Sequence, residues 1–379
     1  MTVIDRPAVE PTPLHPEERI ETRVRFRRIE ANDVFIVAGS AASSTALTWL
    51  LYDRLTPASG TLGFVVVWYG LFITVAWTLS RRLLDPVHAR DTVMRILIWS
   101  AGLLMLTPLA FVAVYTIGKG YRALTLGFFT KDQRLVGPLS PATDGGAAHA
   151  IVGTLEQVAL AVLMSVPLGI GTAIYLNEVK GQLTRPTRII VDAMSAIPSI
   201  VAGLFIFAAV ILALGYHQGG FAAGLALSVL MLPTVTRTAE VVLRLVPGGL
   251  REASLALGGN EWHTTRDVVV PTARSGLTTA VILGVARVVG ETAPLILVTF
   301  GASVMNTNPF EGKQSALGLF IYKLVSLPQE AMQQRAWTGA LVLLGIVLFL
   351  FVIARIMGGR GPGHIGRLRR ARLAREGLV

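Results

Sequence analysis

The stretch "ARVVGETAPL" (residues 286–295) sets Arg287 and Glu291 inside an otherwise apolar run from Gly276 to Phe300. At a helical rise of about 1.5 Å per residue, Arg287 lies roughly 16 Å into that run, near the middle of a hydrocarbon core of about 30 Å. An arginine at that depth costs roughly 2.5–3.5 kcal/mol on insertion scales, so it should face a cavity or a partner and not lipid. Its guanidinium stays charged at any working pH, and its planar fork matches two oxygens of an oxyanion. Glu291, four residues on, is expected on the same helical face and within reach. Two chemistries fit these residues. One is an intrahelical ion pair that neutralises itself and clasps neighbouring helices. The other is an anion contact, tempered by the carboxylate because a transported anion must also leave.

Pro294 adds a mechanical element. Its ring conflicts with the carbonyl of Gly290, four residues earlier, so a kink is expected there, with Thr292 satisfying part of the disrupted backbone. Such a kink would present amide groups and Arg287 to a central pathway.

Membrane helices carry these residues. The chain is 53% hydrophobic and only 15% charged, against roughly 25% charged in a soluble domain. Apolar runs of spanning length recur at roughly 34–51, 62–79, 95–118, 150–176, 188–214, 221–243, 276–300 and 336–357, without the alternation of an outer-membrane barrel. The reading is an all-α polytopic membrane protein of eight spans. The chain has no cysteine, which excludes disulfides, thiolate metal sites and cysteine nucleophiles. Its six histidines are scattered without metal-ligand spacing. Residues 1–33 are polar and arginine-rich, with no h-region or cleavage site, and read as a retained tail.

The net charge of +11 is explained by topology and not by nucleic acid. With both termini in the cytoplasm, 25 of the 34 lysines and arginines fall on inner segments and 8 on outer ones, a threefold positive-inside bias. The basic tail 358–379 then reads as a stop-transfer signal beside anionic lipid. Prolines 108, 167, 198, 233 and 294 fall mostly within spans, where each tends to kink its helix.

The longest polar inner segment runs from Arg237 to Gly276. "REASLALGG" has helix-favouring spacing and then a Gly258–Gly259 stop. A second short helix, "NEWHTTRDVVV", is expected to be capped by Asn260 and to end at Pro271. Glu252-Ala253-Ser254, three residues, Gly258, nine residues, then Val268-Val269-Val270-Pro271 resembles the E-A-A…G…I-x-L-P signature of permease subunits of ATP-binding-cassette importers. The departures are Ser254 for alanine and valines for Ile and Leu. "AIPSIVAGLF" (196–205), "RTAEVVLRLVPGGLREASLALGG" (237–259) and "RVVGETAPL" (287–295) resemble the phosphate-specific (Pst) members, of PstA type.

That resemblance covers residues 95–357 and implies a type I importer transmembrane domain of about six core helices, with a coupling loop at 244–275. The hairpin 34–94 is extra to it. It implies an inorganic phosphate permease in a bacterial cytoplasmic membrane, forming half of the translocation pathway. Arg287, Glu291 and Thr292 would lie on the phosphate path, with Gly290 and Pro294 at the kink. Glu252, Ala253, Ser254, Gly258 and Pro271 would couple to an ATPase. The implied partners are a paralogous PstC-type permease, a dimer of PstB-type ATP-binding subunits, a PstS-type extracytoplasmic phosphate-binding protein and membrane lipid. No G-x-x-x-x-G-K-[ST] occurs, so ATP and Mg belong to the partner ATPase and no cofactor is expected on this chain. A permease for sulfate, molybdate or phosphonate is the neighbouring reading, and an ion-coupled secondary transporter the more distant one.

Other polar residues within spans read as structural. Glu156 and Gln157 could line an outer vestibule, but an acid suits an anion entry poorly and packing is favoured; Asp192 is expected in a pair with an inner arginine, and Arg237, Glu240 and Arg244 as supports of the loop.

Overall fold

The computed structural model describes residues 31–56, 60–179 and 181–357. The chain divides into two compact units, residues 1–109 and 110–379. Of the tails expected over 1–33 and 358–379, residues 1–30 and 358–379 lie outside the described residues, whereas Ala31 to Asp33 already belong to the first helix.

The first unit contains α1 (Ala31–Leu50), α2 (Thr61–Leu83) and the start of α3 (Pro86–Gly120). Helices in lipid close their own backbone hydrogen bonds and approach one another through small residues. Here Ser40, Ser44, Thr48, Ala76 and Ser80 are fully buried. Trp68 donates to Thr45 at 2.9 Å, and Arg95 pairs with Asp33 at 3.2 Å. α3 begins well before the expected residue 95. Asp85 caps it through the backbone N–H of His88 at 2.8 Å, and Pro86 takes the first helical position, where no N–H is needed.

The second unit continues with α4 (Leu126–Thr130) and α5 (Ala148–Ile174), whose end winds into a π-helical turn, Tyr175–Val179. After α6 (Thr184–Ala196) and α7 (Ser199–Ile206) comes α8 (Gly220–Arg244). α5 packs along α8, burying Val158, Ala161, Ala223, Ala226, Leu227, Leu230 and Met231. The loop that follows carries α9 (Gly248–Ala256) and α10 (Glu261–His263), then a π-helical segment, Thr264–Val269. α11 (Val270–Val289), α12 (Ala293–Val298), α13 (Leu317–Val325) and α14 (Glu330–Met357) complete the unit.

Among the described residues seven helices are long and apolar enough to cross a membrane, and a bent pair raises the number to eight. That pair corrects the expectation of one span over 188–214. Thr184–Ala196 and Ser199–Ala213 meet at 107°. Pro198 lacks an N–H and forces the preceding residue out of the helical region, and Ile197 is extended at φ −70°, ψ 125°. Pro108, Pro167 and Pro233 by contrast remain inside α3, α5 and α8.

Candidate functional site

The span expected over 276–300 is broken and not merely kinked. α11 ends at Val289, with Gly290 at φ −97°, ψ 4°. The Glu291 N–H turns back to the Val288 carbonyl at 3.2 Å, and Pro294 sits in the first turn of a new helix. A proline is best tolerated at that position, so the chain stops one helix and restarts another in place of bending one.

Two glycines pin the break from either side. A Cβ on Gly203 of α7 would lie 2.5 Å from Pro294 Cα and 2.8 Å from its carbonyl oxygen. A Cβ on Gly318 of α13 would lie 2.9 Å from Thr292 Oγ1 and 3.0 Å from the Glu291 carbonyl oxygen. Backbone therefore packs directly on Glu291, Thr292 and Pro294. Neither glycine was singled out from the sequence, because its partner lies about 30 or 90 residues away.

Two expectations fail at the break. Glu291 does not share a helical face with Arg287, because α11 ends between them. Neither side chain makes an ion pair or hydrogen bond among the described residues. Thr292 caps nothing with its hydroxyl, since its backbone is helical (φ −118°, ψ −43°) and not extended as an N-cap requires. Arg287 is exposed beside Leu283 and Ala286, while Val288 and Val289 turn into the core. One turn earlier on α11, Gly284 is by contrast packed so closely that its Cβ would meet Val235 at 2.7 Å. Arg287 thus lies on a face that the second unit leaves uncovered.

The loop after α8 follows its sequence signals closely. α9 stops at Gly258, which takes the left-handed φ of +88° that favours glycine. Asn260 accepts from the His263 N–H at 2.8 Å. The Ser254 and Thr264 hydroxyls meet at 2.8 Å and tie the two short helices together. Glu252 and Ala253 are exposed, as are Leu255, Leu257 (90%) and Trp262 (64%), so the outer side of the loop sets apolar residues among exposed charged ones, Glu252, Glu261, Arg266 and Asp267. Pro271 does not end the second helix. The chain runs helical from Glu261 to Val289, because the wider π turn before Pro271 takes up its ring and its missing N–H falls at the start of α11.

Just before the loop, ion pairs join the end of α8 to α6. Asp192 pairs with Arg237, and Glu240, only 3% exposed, is shared by Arg188 at 2.7 Å, Arg244 at 2.5 Å and Arg237 at 3.4 Å. Asp192 thus has the inner arginine expected for it, whereas Arg237 and Glu240 tie α8 to α6, Arg244 joins Glu240 within α8, and none of the three reaches the loop after α8 by these pairs. Sequence reasoning missed Arg251, which binds Glu178 of the π turn after α5 at 2.8 Å.

At the opposite end of α5, Gln157 is fully buried and donates to Gln314 and to the Ser315 carbonyl, each at 3.1 Å, and Gln314 donates to Glu156. This is the packing role expected for Glu156 and Gln157. Among the described residues no cluster of three or more His, Asp or Glu is placed to hold a metal ion.

Residues 165–360 match the family described as the binding-protein-dependent transport system inner membrane component. The phosphate transport system permease protein PstA 1 of Mycobacterium tuberculosis is 39% identical over 282 residues, covering 74% of this chain and 90% of that protein. The chain belongs to the PstA-type phosphate transport permeases. Its Mycobacterium leprae relative, phosphate transport system permease protein PstA, is 41% identical over 271 residues, covering 70% of this chain and 88% of that one. The inward-facing MetNI methionine ABC transporter is 22% identical, covering 54% of this chain and 93% of that chain, with a TM-score of 0.44. As a PstA-type permease the chain is a multi-pass inner-membrane protein and the permease subunit of a phosphate ABC transporter, not itself an ATPase.

Proposed function

We propose that Arg287 is the contact for phosphate crossing the membrane. The observation that carries this is its position: a guanidinium in a spanning helix, exposed, without an ionic partner among the described residues, one turn before a helix break. A charge placed there at a cost of several kcal/mol is compensated when an anion arrives. Glu291 and Thr292, in the break itself, form the neighbouring wall, and Gly290 and Pro294 create the break. Glu291 tempers the local positive potential so that the bound anion can leave.

The uncovered face of Arg287 suits a pathway shared with a second, paralogous PstC-type permease. The domain is read as type I, with about six core helices over 95–357 and an extra hairpin at 34–94. Both termini lie in the cytoplasm, as the Lys/Arg bias favours. On that side Glu252 to Pro271, with Ala253, Ser254 and Gly258 shaping the turn, docks on a dimer of PstB-type subunits that carry ATP and Mg. A PstS-type protein delivers phosphate from the other side.

Reconstituting the chain with its partners in liposomes tests this reading. Phosphate uptake should require ATP and fall sharply in Arg287→Ala. Uptake that ran without ATP, or was unchanged in the variant, would overturn it.

A further inference from the structure

Arg251 stands one residue before Glu252, on the helix proposed to meet the ATPase. Its side chain points back into the protein. Nε donates to Glu178 Oε2 at 3.0 Å and Nη2 to Oε1 at 2.8 Å, a two-pronged pair with the end of α5. Nη2 also donates to the Leu243 carbonyl at 3.0 Å and Nη1 to the Val246 carbonyl at 2.8 Å. Leu243 lies in the last turn of α8, whose final carbonyls have no intrahelical partner and carry partial negative charge. One guanidinium thereby ties α9 to the ends of both α5 and α8.

The pair is well enclosed. The Glu178 side chain is 10% exposed and that of Arg251 24%. Leu243 and Val246, whose carbonyls Arg251 binds, belong to a buried apolar cluster with Ala173, Ala239 and Val269. Apart from Arg251, Glu178 receives a side-chain hydrogen bond only from its neighbour Asn177, at 2.6 Å, among the described residues. Glu240 differs in kind, since three arginines share it and the loss of one leaves two.

We infer that the Glu178–Arg251 pair is the joint through which movement of α9 is passed to α5 and α8. Resting on the reading that Glu252 to Pro271 docks on the ATPase, it makes Arg251 a positioning residue for that coupling. A planar fork suits the task because it holds carboxylate and carbonyls at fixed mutual angles, which a lysine's single ammonium cannot do. Without the joint α9 can still bind its partner, but its displacement is taken up in the loop.

The test uses the complete transporter in liposomes, measuring complex yield and ATP hydrolysed per phosphate moved for wild type, Glu178→Gln, Arg251→Lys and Glu252→Lys. Glu178→Gln should raise the ratio about tenfold, within the usual range of coupling between sites, with complex yield retained. Arg251→Lys should fall between it and wild type. A wild-type ratio in both variants would overturn the inference. Loss of the complex in both would also overturn it, because that is what a purely structural clamp gives. If the docking reading is wrong instead, Glu252→Lys keeps the wild-type ratio whatever the other two show.

Discussion

Gly203 and Pro294 meet backbone to backbone, with room for no side chain between them: a Cβ at 203 would stand 2.5 Å from Pro294 Cα. α7 restarts after one proline-marked break and α12 after another, so this contact joins the two interrupted elements of the second unit. Gly203→Val must push them apart. It should cost about 1–3 kcal/mol, as overpacking does, lower the melting temperature of the purified complex and suppress phosphate uptake. A valine variant with wild-type uptake and melting temperature would show that the contact is unimportant.

Glu291 provides a separate test, because the structure gives it no ion pair with Arg287 among the described residues. If the two formed a buried clasp, Glu291→Gln would destabilise the protein by roughly 3–5 kcal/mol. The expected result is a melting temperature near wild type with altered transport: tighter retention of phosphate and a lower maximal uptake rate.

Pro271 closes the family signature without ending a helix. Pro271→Ala restores one N–H at the start of α11 and leaves the continuous helix from Glu261 intact. Stability should therefore stay within about 0.5 kcal/mol of wild type, as for a substitution at an exposed position, so that a change in ATP-driven uptake reports on docking and not on folding. A large loss of uptake would show that the ring itself is needed at the docking surface.

Asp132 links two loops, accepting from the Arg134 N–H at 3.1 Å and the Met305 N–H at 3.2 Å. The Arg134 N–H chiefly, then that of Met305, holds its carboxyl below the usual range. A lowered folded-state pKa contributes stability that is fully present above the unfolded value, about 3.9, and is lost as pH falls through the folded one. Hydrogen exchange at the Met305 amide should stay protected at neutral pH and lose that protection only below about pH 4. In Asp132→Asn the pH dependence should vanish.

Much of this was legible in the sequence because it is local. The spans follow from apolar runs, and the end of α9 at Gly258 and the Asn260 cap follow from residues within one turn of the features they set. Breaks were harder. A proline signals a disturbance, but whether the helix continues, as with Pro167 inside α5, or stops, as before Pro294, depends on what packs against it. Gly203 and Gly318 make that decision from distant segments. The separation of Arg287 from Glu291 followed from the same break, since four-residue spacing places side chains together only on a continuous helix. Arg251 escaped notice because its partner Glu178 is 73 residues away, with no periodicity linking them.

Whether Arg287 holds phosphate through its fork is decided by ATP-driven phosphate uptake in Arg287→Ala beside Arg287→Lys, each in the reconstituted transporter. The alanine variant should lose about 2–5 kcal/mol of anion stabilisation, tenfold or more in uptake. Lysine, keeping the charge without the fork, should restore only part of it. Wild-type uptake in Arg287→Ala would show that Arg287 does not hold the anion.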